Sequence, residues 1–349
     1  MKRAGAVLLT GLLFAACQSA PPAPAPANPG SAAQTSPYPT IGSVERLDPA
    51  LDALVAPDAK IEKLAEGFTW AEGPVWADGA LLFSDVPNNV IHRWKDGQGL
   101  SDFLRPSGYT GQEKRGGNLG SNGLTFDGAG HLVLAQHGDR RVARLEPDHS
   151  FTTVAGAMNG KRFNSPNDVV FKSNGDVYFT DPAYGFEGAP ETWKHEIGFS
   201  GVFRRTADGQ VTALVKDLTF PNGIGFSPDE KTLYVSNSDP DRAIWMAYDV
   251  AADGTLANGR LFFDATDKVK AGKKGLPDGL KVDEHGNVFG GGPGGVLVFS
   301  PEGKHLGTIV TTEPTANVAF GDDGSVLYMT AHDKLCRIHL KTHAARMPR

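Results

Sequence analysis

One unit of sequence occurs six times along the chain, and this repeat restricts the possible folds more than any other feature. Each unit has a polar residue, a strand-like apolar alternation, a turn, and a second strand of Leu, Val, Tyr or Phe. The units read EGPVWADGALLFSD, SNGLTFDGAGHLVLAQ, PNDVVFKSNGDVYFTD, PNGIGFSPDEKTLYVSN, PDGLKVDEHGNVFGGG and TANVAFGDDGSVLYMT. Their polar residues are 50, 45, 55, 56 and 39 positions apart. This spacing predicts an all-β six-bladed β-propeller with outer loops of varying length.

The segments outside the repeats supply a way to close the ring. Residues 59–64 (AKIEKL) are strand-like and precede the first unit, while residues 334–342 provide late strands of the sixth. We therefore predict that the N-terminal strand completes the last blade. Two separate β-sandwiches are the structural alternative, but one phase kept through six repeats favours a single ring.

The N-terminus has the features of an export signal. Lys2 and Arg3 precede an apolar run at 6–16 that is too short to span a bilayer, and Cys17 follows it as in a bacterial lipobox. We predict a lipoprotein signal peptide at 1–16, a Pro/Ala/Ser-rich tether at 17–45 and the propeller at 46–349. The expected protein is exported and faces the periplasm or the cell exterior, with membrane contact only through a lipid on Cys17. An ordinary cleaved signal is the alternative.

Composition excludes several classes of protein. The 349 residues carry a net charge of −6 without a basic block, so nucleic-acid binding is not expected. Beyond Cys17 the only cysteine is Cys336, which rules out an internal disulfide in the propeller. A monomer is expected.

The polar residues at the start of the units form a set of their own, here called the ring residues. They are Glu72, Asn122, Asn167, Asn222, Asp278 and Asn317. Because the first strand of each blade lines the central channel, residues in one repeat phase should meet at one mouth of that channel. An all-oxygen set with two carboxylates suits a hard cation such as Ca²⁺ and, lacking Cys and His, is less suited to a soft-ligand zinc site. The alternative is turn chemistry, because Asn-Gly and Asp-Gly dipeptides are common in turns.

Four motifs carry a resemblance to a known family. AEGPVW, SPNDVV, FPNGIGFSPDEKTLYVS and LPDGLKVDEHGNV occur in order, and from about residue 59 to the C-terminus the chain resembles the senescence-marker-protein/gluconolactonase (regucalcin-like) family, in particular its bacterial gluconolactonase branch. The resemblance implies a six-bladed propeller with one divalent cation in the channel, with Ca²⁺ expected and Zn²⁺, Mg²⁺ or Mn²⁺ as alternatives. Its ligand pattern falls on Glu72, Asn167, Asn222 and Asp278.

The resemblance also implies a chemistry. A cation at these ligands would polarise a lactone carbonyl, and Asp278 is the expected catalytic residue, either as the base that deprotonates water or as a nucleophile. Glu72 would mainly neutralise the ion. The expected reaction converts D-glucono-1,5-lactone and water to D-gluconate.

Four further residues are candidates for the substrate pocket. Asn122 and Asn317 share the ring phase without belonging to the family's ligand pattern. His137 follows the second strand of its unit, and Tyr184 lies in the long insertion DPAYGFEGAPETWKHEIG. For His137, a role as base and the role of an ordinary loop histidine both stay open. For Tyr184, capping of the mouth and packing under the loop both stay open.

Other functions share parts of this pattern. The same cation could polarise a P=O bond, so a phosphotriesterase or a lactonase of another substrate class is an alternative. A non-catalytic, lipid-anchored binding propeller would have no reason to place Glu72 and Asp278 in phase with asparagines. A quinone-dependent sugar dehydrogenase would need basic residues and a His around its cofactor, which the ring phase does not supply.

Overall fold

The computed structural model describes Met1 and residues 36–189 and 191–347. Apart from Met1, the signal peptide predicted at 1–16, the predicted lipid site Cys17 and most of the predicted tether lie outside the described residues, so these stay predictions. Among the residues described, no helix is long and apolar enough to cross a membrane.

Six antiparallel sheets form the blades of a β-propeller, so the predicted fold is confirmed. Within each blade the chain runs outward from the channel. The first blade is β4 (Ala71–Ala77), β5 (Ala80–Asp85), β6 (Val90–Lys95) and β7 (Gly99–Leu104); the second is β8 (Ser121–Phe126), β9 (Leu132–Gln136), β10 (Arg141–Leu145) and β11 (Phe151–Ala155); the third is β14 (Val169–Phe171), β15 (Val177–Asp181), β16 (Gly201–Arg205) and β17 (Val211–Val215).

Of the remaining three blades, the fifth and the sixth also contain strands of the N-terminal segment. The fourth blade is β18 (Pro221–Phe226), β19 (Thr232–Asp239), β20 (Arg242–Val250) and β21 (Leu256–Asp264); the fifth is β22 (Leu280–Val282), β23 (Val288–Gly292), β24 (Gly295–Phe299), β25 (His305–Val310) and β2 (Ser43–Arg46); the sixth is β26 (Thr315–Gly321), β27 (Val326–Ala331), β28 (Lys334–His339), β3 (Ile61–Glu66) and β1 (Thr40–Ile41). A small hairpin, β12 (Ala157–Met158) with β13 (Lys161–Arg162), 3-10 turns at Pro49–Ala53 and Tyr184–Phe186, and helix α1 (Thr266–Lys270) lie outside the blades.

The N-terminal strand closes the ring as predicted. β3 pairs antiparallel with β28, joining residues 61–66 to the last strand of the chain. The inner strand of the sixth blade, β26, in turn contacts the inner strand of the first, β4. The described N-terminal strands therefore pair with the last two blades.

The boundary predicted for the tether differs from the structure. β1 lies within residues 17–45, and β2 begins within them. β1 pairs with β3, and β2 pairs with β25. The compact unit accordingly begins at Tyr38. These strands are short and lie at sheet edges, so their sequence carries little apolar alternation, and the partner strands determine their structure.

Apolar side chains from facing sheets fill the space between blades. Between the sixth and first blades, Phe83, Trp94 and Tyr328 are buried, and Trp76 stacks on Tyr328 with ring centroids 5.2 Å apart. Cys336 is buried in the sixth blade as a free thiol, in agreement with its strand-like sequence. Burial of this kind contributes about 25 cal/mol per Å² of apolar surface and holds the ring closed.

An ion pair joins the two strands at the closure. Arg337 Nε donates to Glu62 Oε2 at 2.6 Å, both side chains being about one-tenth exposed, and Nη1 donates to Asp96 at 2.9 Å. We expect Arg337→Met to lower the free energy of unfolding by about 3–5 kcal/mol, because it leaves the Glu62 carboxylate buried without its cation. Equilibrium urea unfolding measures this loss.

The matched control is Arg260→Met, which removes an arginine paired with Asp249 where both side chains are about half exposed. Its expected cost is below about 1 kcal/mol. Equal losses in the two variants would show that the closing ion pair contributes no more than a surface pair.

Candidate metal centre and substrate pocket

The ring residues meet at one mouth of the channel. Glu72, Asn122, Asn222 and Asn317 lie within the inner strands of their blades, and Asn167 and Asp278 come two residues before theirs. All are buried except Asp278, which is partly exposed. A cavity of about 490 Å³ opens at this mouth. It is lined by all four predicted ligands and by three of the four predicted pocket residues: Glu72, Asn167, Asn222, Asp278, Asn122, His137 and Tyr184.

The glycine that follows most ring residues is required by close packing. A Cβ atom on Gly223 would lie 2.3 Å from the carbonyl oxygen of Asp278, and one on Gly279 would lie 1.9 Å from Cγ of Asn317. Both contacts are far below the distance that any side chain tolerates. The Asn-Gly and Asp-Gly pairs are therefore places where inner strands approach one another, and their glycines do not form turns.

Hydroxyl groups tie neighbouring blades together at the same level. In three blades, a Ser or Thr on the second strand donates to the main-chain carbonyl of the ring residue in the next blade. The pairs are Ser84 with Asn122 (2.9 Å), Thr180 with Asn222 (2.7 Å) and Ser236 with Asp278 (2.9 Å). These bonds fix the backbone from which the ring side chains project.

Three buried amide oxygens have no hydrogen-bond partner among the residues that the structure describes. Oδ1 of Asn122, Asn167 and Asn222 lacks any hydrogen bond, although such oxygens normally find one when they are buried. The same cavity holds the carboxylates of Glu72 and Asp278. No group of three or more His, Cys, Asp or Glu side chains in the described ranges could hold a metal by itself. Unsatisfied amide oxygens beside two carboxylates fit a hard divalent cation.

The two carboxylates destabilise each other's charged forms. Burial raises the pKa of Glu72 to about 7, and the charge of nearby Asp168 adds to the shift. Burial and then the charge of Glu72 raise the pKa of Asp278 well above its usual value. Two negative charges in one desolvated site are costly without a cation, so the electrostatics favour binding of one.

Glu72 and Asp278 differ in exposure and in the number of hydrogen bonds that their carboxylates accept. Glu72 is 2% exposed, and it accepts the Gly73 N–H at 3.0 Å and the Trp70 indole N–H at 3.4 Å. Asp278 accepts the Gly279 N–H at 3.1 Å and remains partly open to the cavity. Asp278 is therefore the carboxylate that can reach a molecule bound in the cavity.

His137 lies in the cavity wall as a neutral imidazole. It is 1% exposed, and burial lowers its pKa to about 3, with the Asn118 backbone opposing the shift and Arg115 adding to it. Neither ring nitrogen makes a hydrogen bond of normal geometry. So low a pKa makes His137 a poor base, but it can exchange a hydrogen bond with a neutral ligand.

Tyr184, from the long insertion, lies in the wall of the cavity. Its ring stacks on Phe220 with centroids 5.6 Å apart, and burial raises the pKa of its hydroxyl, with Ser238 and Asn222 as polar neighbours that oppose the shift. The insertion is held to the loop before the second blade by Arg115 Nη2, which donates to the carbonyl of Gly185 at 2.7 Å.

Asn317 is the one predicted pocket residue that does not line the cavity. Its Oδ1 accepts the N–H of Val318 at 2.8 Å, and its side chain packs against Gly279. A hydrogen bond from Asn317 also favours the charged form of Glu72. Because Gly279 leaves room for it, the side chain is directed toward the neighbouring blade and supports the site from there.

Sequence reasoning missed several residues of the cavity wall. Trp70, Asn118 and Ser238 line it. Ser238 lies near the end of β19, one residue past its repeat unit, and Trp70 comes two residues before Glu72, so repeat phase could have found both. Asn118 lies in an irregular loop, where no periodic signal exists.

Comparison with known proteins gives consistent matches. A family model described as SMP-30/Gluconolactonase/LRE-like region matches residues 70–333. The gluconolactonase of Zymomonas mobilis is 38% identical over 312 residues, which is 87% of each chain. The pentonolactonase XacC of Haloferax volcanii is 28% identical over 274 residues, covering 77% of this chain and 81% of that protein. The solved structure of a gluconolactonase from Xanthomonas campestris superposes with a TM-score of 0.75 at 29% identity, covering 88% of this chain and 99% of the other.

Proposed function

The chain belongs to the SMP-30/gluconolactonase/LRE-like family, and from this premise we propose that it is a metal-dependent hydrolase that opens the ring of D-glucono-1,5-lactone. The observation that carries the proposal is the meeting of unpartnered amide oxygens and two carboxylates in one cavity. A cavity of about 490 Å³ is of the size that small-molecule sites have.

Glu72, Asn167, Asn222 and Asp278 would hold the cation, for which Ca²⁺ is the first choice. When bound, it supplies polarisation of the lactone carbonyl and stabilises the negative charge that develops on that oxygen. Two carboxylates match the charge of a divalent ion, and amide oxygens suit the flexible coordination of Ca²⁺.

Asp278 is the proposed general base. It takes one proton from the water that attacks the lactone carbonyl, and that proton then passes to the ring oxygen as the C–O bond breaks, which yields the hydroxy acid. Because Asp278 is partly exposed and lines the cavity, its carboxylate can accept a proton from a water bound there. Glu72 holds its position through the Gly73 and Trp70 N–H groups and provides charge.

Turnover of a substrate panel tests this function. The purified protein is supplied in turn with Ca²⁺, Zn²⁺, Mg²⁺ and Mn²⁺, and acid release is followed with D-glucono-1,5-lactone, δ-valerolactone and a phosphotriester. Fastest turnover of the sugar lactone supports the proposal. Turnover of the phosphotriester alone would favour the phosphotriesterase alternative, and no turnover with any metal would favour a non-catalytic binding propeller.

His137 is the proposed contact for a substrate hydroxyl, because it lines the cavity and neither buried ring nitrogen makes a hydrogen bond of normal geometry with the described residues. We expect His137→Ala to raise KM for D-glucono-1,5-lactone by about threefold to tenfold, which corresponds to one lost hydrogen bond. KM for δ-valerolactone, which has no hydroxyl groups, should not change. Equal effects on the two substrates would contradict a hydroxyl contact.

Export, lipid attachment at Cys17 and the monomeric state stay predictions from the sequence. Lipid attachment can be tested by comparing the wild-type protein with Cys17→Ser after detergent partitioning of whole cells.

A further inference from the structure

In three blades, the second strand carries a buried side chain that accepts hydrogen bonds at the corresponding position. Asp85 accepts the N–H groups of Thr69 (3.1 Å) and Trp70 (3.2 Å). Asp181 does the same for the N–H groups of Asn164 (2.8 Å) and Ser165 (2.7 Å), and Oδ1 of Asn237 accepts that of Phe220 (2.9 Å). Asp85, Asp181 and Asn237, here called the latch residues, are each at most 1% exposed.

The accepted N–H groups occupy a constant place relative to the proposed metal ligands. They belong to the residues two or three positions before Glu72 and Asn167, and two positions before Asn222. Each latch residue thus holds the chain immediately before a proposed ligand. One to two hydrogen bonds to a buried acceptor fix the backbone there and with it the direction of the ligand side chain.

The other blades lack this arrangement. In the second blade the corresponding residue, Gln136, donates its Nε2–H to the carbonyl of Ser107 at 2.9 Å. In the fifth and sixth blades the corresponding positions are Gly292 and Ala331, which have no side-chain acceptor. A device needed only for folding would be expected in all six blades. The accepting latch is instead present in three of the four blades that supply a proposed ligand.

We infer that Asp85, Asp181 and Asn237 are positioning residues that preorganise Glu72, Asn167 and Asn222 for the cation. The inference rests on the proposed function, because it requires a cation at the ring. Amide oxygens carry no net charge and attract a cation weakly, so their affinity depends on being held in place beforehand. Asp278, whose blade has no latch residue, is held through its main chain by the Ser236 hydroxyl and the carbonyl of Gly291.

Metal affinity without turnover is the direct test. Tb³⁺ bound at the ring would be sensitised by Trp70, whose indole N–H contacts Glu72, and Ca²⁺ can then be titrated as its competitor. We expect Asp181→Ala to weaken the binding of both ions by about 10- to 100-fold. Asp181→Asn should keep most of the affinity, since Asn237 shows that an amide oxygen can serve as latch.

Asp283→Ala is the matched control. Asp283 is fully buried and also accepts two backbone N–H groups, those of His285 and Asn287, but it lies in the turn at the far end of its blade. This variant should lose stability and keep its affinity for Tb³⁺. A folded Asp181→Ala protein with wild-type affinity would overturn the inference.

Three further outcomes are informative. If Asp181→Ala does not fold, Asn237→Ala removes a single accepted N–H, and unchanged affinity in that variant would overturn the inference equally. Absence of Tb³⁺ and Ca²⁺ binding in the wild-type protein would overturn the proposed cation and the latch together. Binding by the wild-type protein with no effect of any latch variant would leave the proposed function intact and remove only the latch.

Discussion

Asp278→Asn is expected to lower kcat for D-glucono-1,5-lactone by about 10²- to 10⁴-fold, the range that a positioned general base contributes. An amide cannot take the proton of the attacking water, although it can still offer an oxygen to a cation. The fold should persist, because Asp278 is partly exposed and its carboxylate accepts one main-chain N–H, that of Gly279, which an amide oxygen can also accept. Steady-state kinetics and thermal unfolding measure both parts of this result.

A control of equal charge change is Asp267→Asn, an exposed residue on α1 a short distance before Asp278 in sequence. Its kcat should match the wild type. If Asp278→Asn retains full activity, Asp278 is neither base nor nucleophile. A single turnover in ¹⁸O-labelled water separates those two roles: a base gives labelled acid in the first turnover, whereas a nucleophile first incorporates the label into its own carboxylate.

Removal of the cation is expected to abolish turnover and to destabilise the propeller. With the ion at about 1,000 times its Kd, binding contributes about 4 kcal/mol to the free energy of unfolding. Treatment with a chelator should remove that contribution, and added Ca²⁺ should restore both activity and stability. A chelated protein that retains full turnover would contradict a role for the metal in the reaction.

The chelated protein should also show a characteristic dependence on pH. Burial raises the pKa of Glu72 from 4.5 to about 7, so between these values the unfolded chain has released a proton that the folded chain retains. The contribution of Glu72 to stability is thus fully present below pH 4.5 and is lost as the pH rises through about 7. Glu72→Gln, which cannot titrate, removes this contribution together with the part of the Asp278 pKa shift that the Glu72 charge causes. Urea unfolding over this pH range compares the two proteins, and an identical pH profile in both would contradict the prediction.

The fold could be predicted from the sequence because each blade repeats a local pattern. Strand alternation and turn signals are local, and their sixfold phase places Glu72, Asn167, Asn222 and Asp278 in one ring without any knowledge of contacts. The repeat phase also predicts Asn317 in the pocket wall, but Asn317 does not line the cavity. The repeat phase gives the position of a side chain along the channel. The direction of the Asn317 side chain depends on the space that Gly279 leaves in the neighbouring fifth blade.

Other parts of the site depend on contacts between distant segments. Arg115 reaches the site only because its loop meets the insertion at Gly185, and neither segment has a periodic pattern. The acceptor roles of Asp85 and Asp181 are equally hidden, because an acidic residue at a strand end is common and its partners lie more than ten positions away. Tertiary geometry, rather than residue type, gives these positions their function.

The pairing of β3 with β28 has a consequence for the order in which the protein can assemble. The Glu62–Arg337 contact spans 275 positions, so β3 cannot pair with β28 until the residues between them have been synthesised. Such a long-range closure is entropically costly and late, and proteins dominated by distant contacts fold slowly. A nascent chain interrupted before residue 334 would leave the sixth sheet with two open strand edges. Closure of the ring thus requires residues 61–66 and 334–339 to be present in the same chain.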